Sequence, residues 1–412
     1  MIEQIVLLVA GAALGALFTA VPQTLRNVRE KKGARDANRR RELAKSGEID
    51  RWIMNYYDSH GEILYRCTIG DCTKDIPILT TSPWLFFKPI DPGSDWLVEK
   101  RAAHRSVPPI DKKLLNHQRL MGSKIWLSLT DSMCFDEVNT DQTPMVFIRP
   151  CPYRAIASSI AALQEETYRA VRRMRHPLLH RSTRTPFRDE FFPGLPHPGM
   201  RSPRPFSIGS TTVLALLTDH TYEIAIQTRG SNVITAPNMR AVIPNFGFES
   251  NELGGRESSF GVVYFNFLKE YLEELHNYEE LIGEKSQLRL DPDWFSTLPE
   301  AQSLMKLHRE GSFTLNYLGI GFDGVSGTAA VALLALVEDV TFGRELKKSM
   351  QVNWEVNAPT STDPSVEFLD AKGSRLSYLH QQGEFQASSA FAISLALEHL
   401  EPKLAALAGR NR

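Results

Sequence analysis

From Gln4 to Leu25 the chain carries no charged side chain, and Ile5 to Val21 is almost wholly apolar. A hydrocarbon core of ~30 Å takes roughly 20 residues at ~1.5 Å of rise each, and the backbone is satisfied there only in a helix. The segment 4–25 is therefore expected to be a transmembrane helix whose partner is the lipid bilayer. A cleaved signal peptide would want a basic start and a shorter apolar core. Here Glu3 precedes the run, while Arg26, Arg29, Lys31, Lys32, Arg35, Arg39, Arg40, Arg41 and Lys45 follow it. The positive-inside rule then predicts a single-pass protein of the cell membrane, with its N-terminus outside and its body cytoplasmic. Gly11 and Gly15 form a small-xxx-small pair that can bring two such helices together as a homodimer; small residues that simply face lipid are the plainer reading.

Composition narrows the classes of partner. The formal charge of -1 leaves no basic footprint of the kind that nucleic-acid-binding proteins show, so nucleic acid is not expected. Four cysteines, Cys67, Cys72, Cys134 and Cys151, fit a reduced compartment. Cys67 and Cys72 have a spacing that zinc could use, but no second close pair completes four ligands.

Along the chain, punctuation and periodicity divide the sequence into a transmembrane helix (1–25), a basic cytoplasmic stalk (26–50), a mixed α+β region (51–175), a Pro/Arg-rich bridge (176–205), an α/β domain (206–350) and a C-terminal extension ending in a docked helix (351–412). Ser158 to Arg175 has helical spacing at Ile160, Leu163, Tyr168 and Val171, and a basic end that suits its dipole. Thr211–Leu217 and Tyr222–Arg229, joined at Asp219-His220, predict a hairpin. Ala241–Phe248 predicts an extended stretch, and a helix follows from about Phe260 to Leu281. Gly319, Gly321 and Gly324 suggest a bulge or turn instead of a phosphate loop. Ser388 to Leu407 predicts an amphipathic helix docked on the body.

The residues with most chemical promise lie on the helix after the Gly-rich stretch Leu253-Gly254-Gly255. Glu270, Glu273 and Glu274 are three and four residues apart, which predicts one shared acidic face. Like charges so close repel, and a hard divalent cation, Mg or Mn, would turn that repulsion into attraction. A solvated acidic face is the ordinary alternative.

The order of hairpin, extended segment, Gly-rich loop and Lys-Glu-x-x-Glu-Glu helix resembles the Nudix family, whose box reads Gly-x5-Glu-x7-Arg-Glu-apolar-x-Glu-Glu-x-Gly-apolar. Gly255 matches the first glycine, and Glu270, Glu273 and Glu274 match the carboxylates that carry the metal in active members. Three positions depart: Lys269 stands for Arg, Gly261 for the loop Glu, and His276 for the second Gly. Phe313–Asp323 and Ala329–Asp339 look like the later strands of such a sheet, so the resemblance covers about residues 205–350. It extends to a divergent set of bacterial Nudix-like domains often attached to regulatory or defence proteins.

What the resemblance implies is a Nudix-like mixed-sheet α/β/α sandwich behind the N-terminal anchor. It further implies a membrane-anchored cytoplasmic hydrolase of a nucleoside diphosphate-linked compound, with Glu270, Glu273 and Glu274 as metal ligands and catalytic groups. Magnesium would neutralise phosphate charge and activate a water. Arg229, Arg240 and Gly255 would contact the nucleotide-like substrate, although arginines flanking strands are commonly surface residues. The alternative is a catalytically inactive Nudix-like nucleotide-sensing module in a membrane-bound regulatory or defence protein. The retained carboxylates favour the first reading, and the altered box favours the second.

Overall fold

A computed structural model describes residues 27–28, 31–32, 34–35, 38–43, 45–102, 115, 131–139, 144–175, 185–196, 204–230, 233, 235–253, 255–278, 281, 291–351 and 366–410. In chain order these form α1 (Glu48–Asp58), β1 (Leu64–Ile69), β2 (Cys72–Leu79), β3 (Lys88–Pro89), β4 (Val98–Lys100), β5 (Asp131–Asn139), β6 (Met145–Pro152), α2 (Tyr153–Arg175) and α3 (Pro186–Phe191). Then come β7 (Phe206–Leu217), β8 (Tyr222–Thr228), β9 (Arg240–Val242), β10 (Asn245–Gly247), β11 (Glu252–Leu253), β12 (Arg256–Glu257), α4 (Val262–Leu275) and α5 (Pro299–Arg309). The last elements are β13 (Phe313–Asp323), β14 (Ala329–Val337), α6 (Val340–Ser349), β15 (Val366–Asp370), α7 (Ser374–Gln381) and α8 (Ala387–Arg410).

The expectation of a membrane-anchored, single-pass protein is corrected. Among the described residues no helix is long and apolar enough to cross a membrane. The segment 4–25, with Gly11 and Gly15, lies outside the described residues, so a bilayer partner and a membrane location have no structural support. Nor are the described residues 38–58 a free polar stalk. Leu43, Ile49, Ile53 and Tyr57 are buried in the main core. Arg41 and Lys45 both pair with Glu384, more than 300 residues away in sequence.

The class is mixed α/β. Thirteen of the described strands form one sheet with the main path β1-β2-β13-β14-β7-β5-β6-β4. Most pairings are antiparallel, but β14 runs parallel to β7 from Ala329↔Ile208 to Val337↔Leu216, and β4 runs parallel to β6. β14 is buried along its whole length, as a strand covered on both faces must be. Its alternate residues separate the two cores: Val331, Leu333 and Ala335 face the side where α4 and α5 pack, while Ala332, Leu334 and Leu336 face α7 and α8. Helices thus cover both faces. Strands from the stretches 51–175 and 206–350 share the sheet, since β2 pairs with β13 and β5 with β7.

Several expected elements are present. The hairpin is β7–β8, with Ala215↔Ile224 and Leu217↔Tyr222 in register. Cys67 and Cys72 sit on neighbouring strands whose turn is Gly70-Asp71, with Gly70 in the left-handed region. The four cysteines are free thiols. At Gly319 the β13–β14 register slips by one residue. A Cβ there would stand 2.7 Å from Leu85 and 3.0 Å from Leu395, so the missing side chain lets α8 press onto the sheet. The helix expected to reach Leu281 ends at Leu275, because Asn277 takes a left-handed φ of 52° and turns the chain away. In the stretch read as a bridge, Pro186–Phe191 forms α3 with Pro at its start; His176, His180 and His197 lie outside the described residues.

Candidate functional site

Helix α4 is held from both ends. Gly261 precedes it, and a Cβ at that position would run into the carbonyl oxygen of Ser94, so the chain has no room there for the glutamate that a Nudix box carries. Asp95 Oδ1 accepts the Val262 N–H at 2.7 Å and caps the first turn. Asn266, fully buried, accepts the Glu249 N–H through Oδ1 at 2.9 Å and donates Nδ2 to the Glu249 carbonyl at 2.9 Å. That clamp fixes the segment after β10 against the helix and brings the Glu249 carboxylate to the acidic residues.

The centre of the cluster is a lysine. Lys269 is 2% exposed, and its Nζ lies 3.0 Å from Glu270 Oε1 and 3.3 Å from both Glu249 Oε2 and Glu273 Oε2. Burial alone would lower its pKa, but Glu249, Glu270 and Glu273 together hold the ammonium well above the ordinary lysine range. One ammonium cannot neutralise three carboxylates. Burial, with Glu273 and Glu249 adding repulsion against the pull of Lys269, pushes the Glu270 carboxyl up to about 8. Burial also raises Glu273, whose Oε1 accepts the Leu281 N–H at 2.6 Å.

This arrangement has a stability consequence. The folded chain keeps a proton on Glu270 that the unfolded chain releases near the ordinary glutamate pKa of 4.5. Stability therefore falls as pH rises from that value through about 8, and stays lowered above it. Glu270→Gln removes the titration. Between pH 5 and pH 9 its stability relative to wild type should rise by roughly 1–4 kcal/mol in chemical denaturation. An unchanged difference across that range would show that Glu270 carries no proton in the folded state.

The three helix glutamates do not converge. Glu270 and Glu273 face Lys269, whereas Glu274, 2% exposed, accepts the Asn245 N–H of β10 at 3.0 Å. Among the described residues no group of three or more His, Cys, Asp or Glu side chains is arranged to hold a metal ion. A divalent cation at Glu270 and Glu273 would have to displace the buried ammonium, so the residues present do not fit magnesium or manganese. Arg240 donates Nη1 to Glu367 Oε1 on β15 at 2.7 Å. Arg229 is buried at the end of β8, bound through its backbone to Asn238 and Met239. Neither arginine is among the partners of Glu270 or Glu273. Gly255 takes φ 77° between β11 and β12, and a Cβ there would meet nothing. His276 sits one residue past the helix with its ring 4.9 Å from that of Tyr271.

In the sequence Lys269 stands where the box has arginine, and nothing there marks its burial. The local signal is partial: Lys269 and Glu273 are i, i+4 neighbours on the helix, whereas the meeting of Lys269 with Glu270 and Glu249 comes from packing. Nor does the sequence show a largely apolar cavity in whose wall Asp50, Lys74, Gln164, Asp323 and His380 are set. Those residues are scattered over more than 300 positions, and no spacing rule joins them. Set against known protein families and curated proteins, the chain matches no family model and no curated sequence.

Proposed function

We propose that the chain is a small-molecule-binding module of Nudix-like kind that recognises a nucleotide-like ligand without hydrolysing it. The observation that carries this reading is the ammonium of Lys269 seated among Glu249, Glu270 and Glu273, where a hydrolase of this kind would hold its metal. Gly261 supports it, because the Ser94 carbonyl leaves no space for a loop glutamate. With their charge directed at the Lys269 ammonium, Glu270 and Glu273 serve in this reading to anchor α4 instead of presenting a metal to a diphosphate.

The test is a pair of measurements on the purified chain. Calorimetric titration with Mg²⁺ or Mn²⁺ should show no binding dependent on Glu273 and Glu274. Incubation with nucleoside diphosphate-linked compounds and either metal should yield no phosphoanhydride cleavage above background. Metal-dependent product formation that a Glu273→Gln, Glu274→Gln double variant abolishes would restore the hydrolase reading.

A further inference from the structure

The described residues enclose a half-open cavity of about 90 Å³ between residues 40–41, α1, β2, α2, the loop 235–239 and the turn joining α7 to α8. Its lining is mostly apolar, and the polar groups set in it are unbalanced. Gln164, 3% exposed, has no partner for Oε1, and His380, 1% exposed, has none for Nε2. The other nitrogen of His380 faces the Cys67 backbone, and burial together with Lys74 lowers the ring pKa to about 4. A neutral ring that donates to that backbone presents Nε2 as a lone-pair acceptor. Asp50 has no hydrogen-bond or ion-pair partner among the described residues. Burial raises its carboxyl to about 6, with Lys74 opposing and Asp323 adding.

The nearby donors are largely engaged. Lys74 Nζ donates to the His380 carbonyl at 2.6 Å, and Arg41 Nη2 pairs with Glu384 at 2.6 Å, leaving Arg41 Nε without a partner. Asp323 is satisfied by the Val325 N–H at 2.8 Å and the Ser326 hydroxyl at 2.6 Å. Three acceptors, from Asp50, Gln164 and His380, thus line the cavity without a partner, against one unpartnered donor, Arg41 Nε. Buried acceptors of this kind are normally matched by water or by a ligand. A cation would meet Arg40, Arg41 and Lys74 in the same wall, so the fitting donor is neutral and rich in N–H groups. Phe385, Met239 and Pro77 add apolar surface suited to the flat face of a ring.

We propose that this cavity binds a guanine nucleotide, its N1–H and 2-amino edge donating to Asp50, Gln164 and His380, and its phosphate lying toward Arg41 and Lys74 at the open side. A 2-aminopurine edge supplies adjacent N–H donors that a carboxylate accepts as a pair, and the ring is neutral, as the basic wall requires. The assignment rests on the non-hydrolytic reading above and gives it a ligand class and a place.

The experiment is calorimetry on the full chain with GMP and IMP, which differ only in the 2-amino group. GMP should bind, IMP should bind at least tenfold more weakly, and AMP should show no measurable affinity. Asp50→Asn should cost GMP at least tenfold and narrow the gap between GMP and IMP; Gln164→Ala, checked for folding by thermal melting, should weaken GMP as an independent variant. Equal binding of GMP and IMP, or GMP affinity untouched by both substitutions, would overturn the site and leave the non-hydrolytic reading standing. Absence of GMP binding at millimolar concentration overturns the site as well. Mg²⁺-dependent cleavage of GDP-linked compounds, weakened by Asp50→Asn, would keep the site and sink the non-hydrolytic reading.

Discussion

Lys269→Met is expected to destabilise the fold by about 3–5 kcal/mol at pH 8 in urea denaturation, because it leaves the largely buried Glu270 and Glu273, with the partly exposed Glu249 beside them, without a counter-charge. The methionine fills similar volume, so the loss reports charge more than packing. Protonation relieves the repulsion, and the cost should shrink toward pH 5. Millimolar Mn²⁺ should restore part of the melting temperature of the variant while leaving wild type unchanged, since only the variant has an uncompensated set of oxygen ligands. A variant as stable as wild type at pH 8 would mean that the lysine is not what holds the carboxylates together.

Arg188→Met should cost a similar amount, roughly 3–5 kcal/mol, for a different reason. The guanidinium is completely buried and binds five groups on three segments. Nη1 donates to the Tyr57 hydroxyl of α1 at 2.7 Å and to the Gly324 carbonyl after β13. Nη2 donates to the Thr167 hydroxyl of α2 at 2.7 Å, and more distantly to the Leu163 and Val325 carbonyls at 3.4 Å. Removing the fork strands buried acceptors on three elements at once. Arg188→Lys keeps the charge but cannot span both directions, so it should recover less than half of the loss. Val325 also lines the cavity beside Asp50 and His380, and ligand affinity should fall in both variants along with stability. Full stability of Arg188→Lys would show that charge alone, without the planar fork, secures this junction.

Much of the sheet was legible because its signal is local. Val213, Leu214 and Ala215 on β7, and the unbroken apolar run of β14, announce buried strands in any reading frame, and the turn at Asp219-His220 fixes the hairpin. The cluster on α4 was legible as a set of charges but not as an arrangement. Which carboxylate meets Lys269 and which meets Asn245 depends on where β10 passes, a long-range fact. The basic residues after the apolar run look like a topology signal, yet Arg41 and Lys45 both find Glu384, and Arg40 lies over the Tyr168 ring at 4.6 Å. Charge is visible in a sequence; its partner across 300 residues is not. Arg188 was invisible for the same reason, being one arginine among many in a proline-rich stretch.

The close seat of α8 on the sheet, made possible at Gly319 and Gly321, bears on how the chain is made. One face of β7, β13 and β14, with Val213, Ala215, Leu318 and Leu334, finds its cover in Phe391, Ile393, Leu395 and Leu400. During synthesis every strand of the sheet leaves the ribosome before residues 387–410 do. A nascent chain therefore carries a wide apolar surface through most of its translation, and its second core closes only with the arrival of that helix.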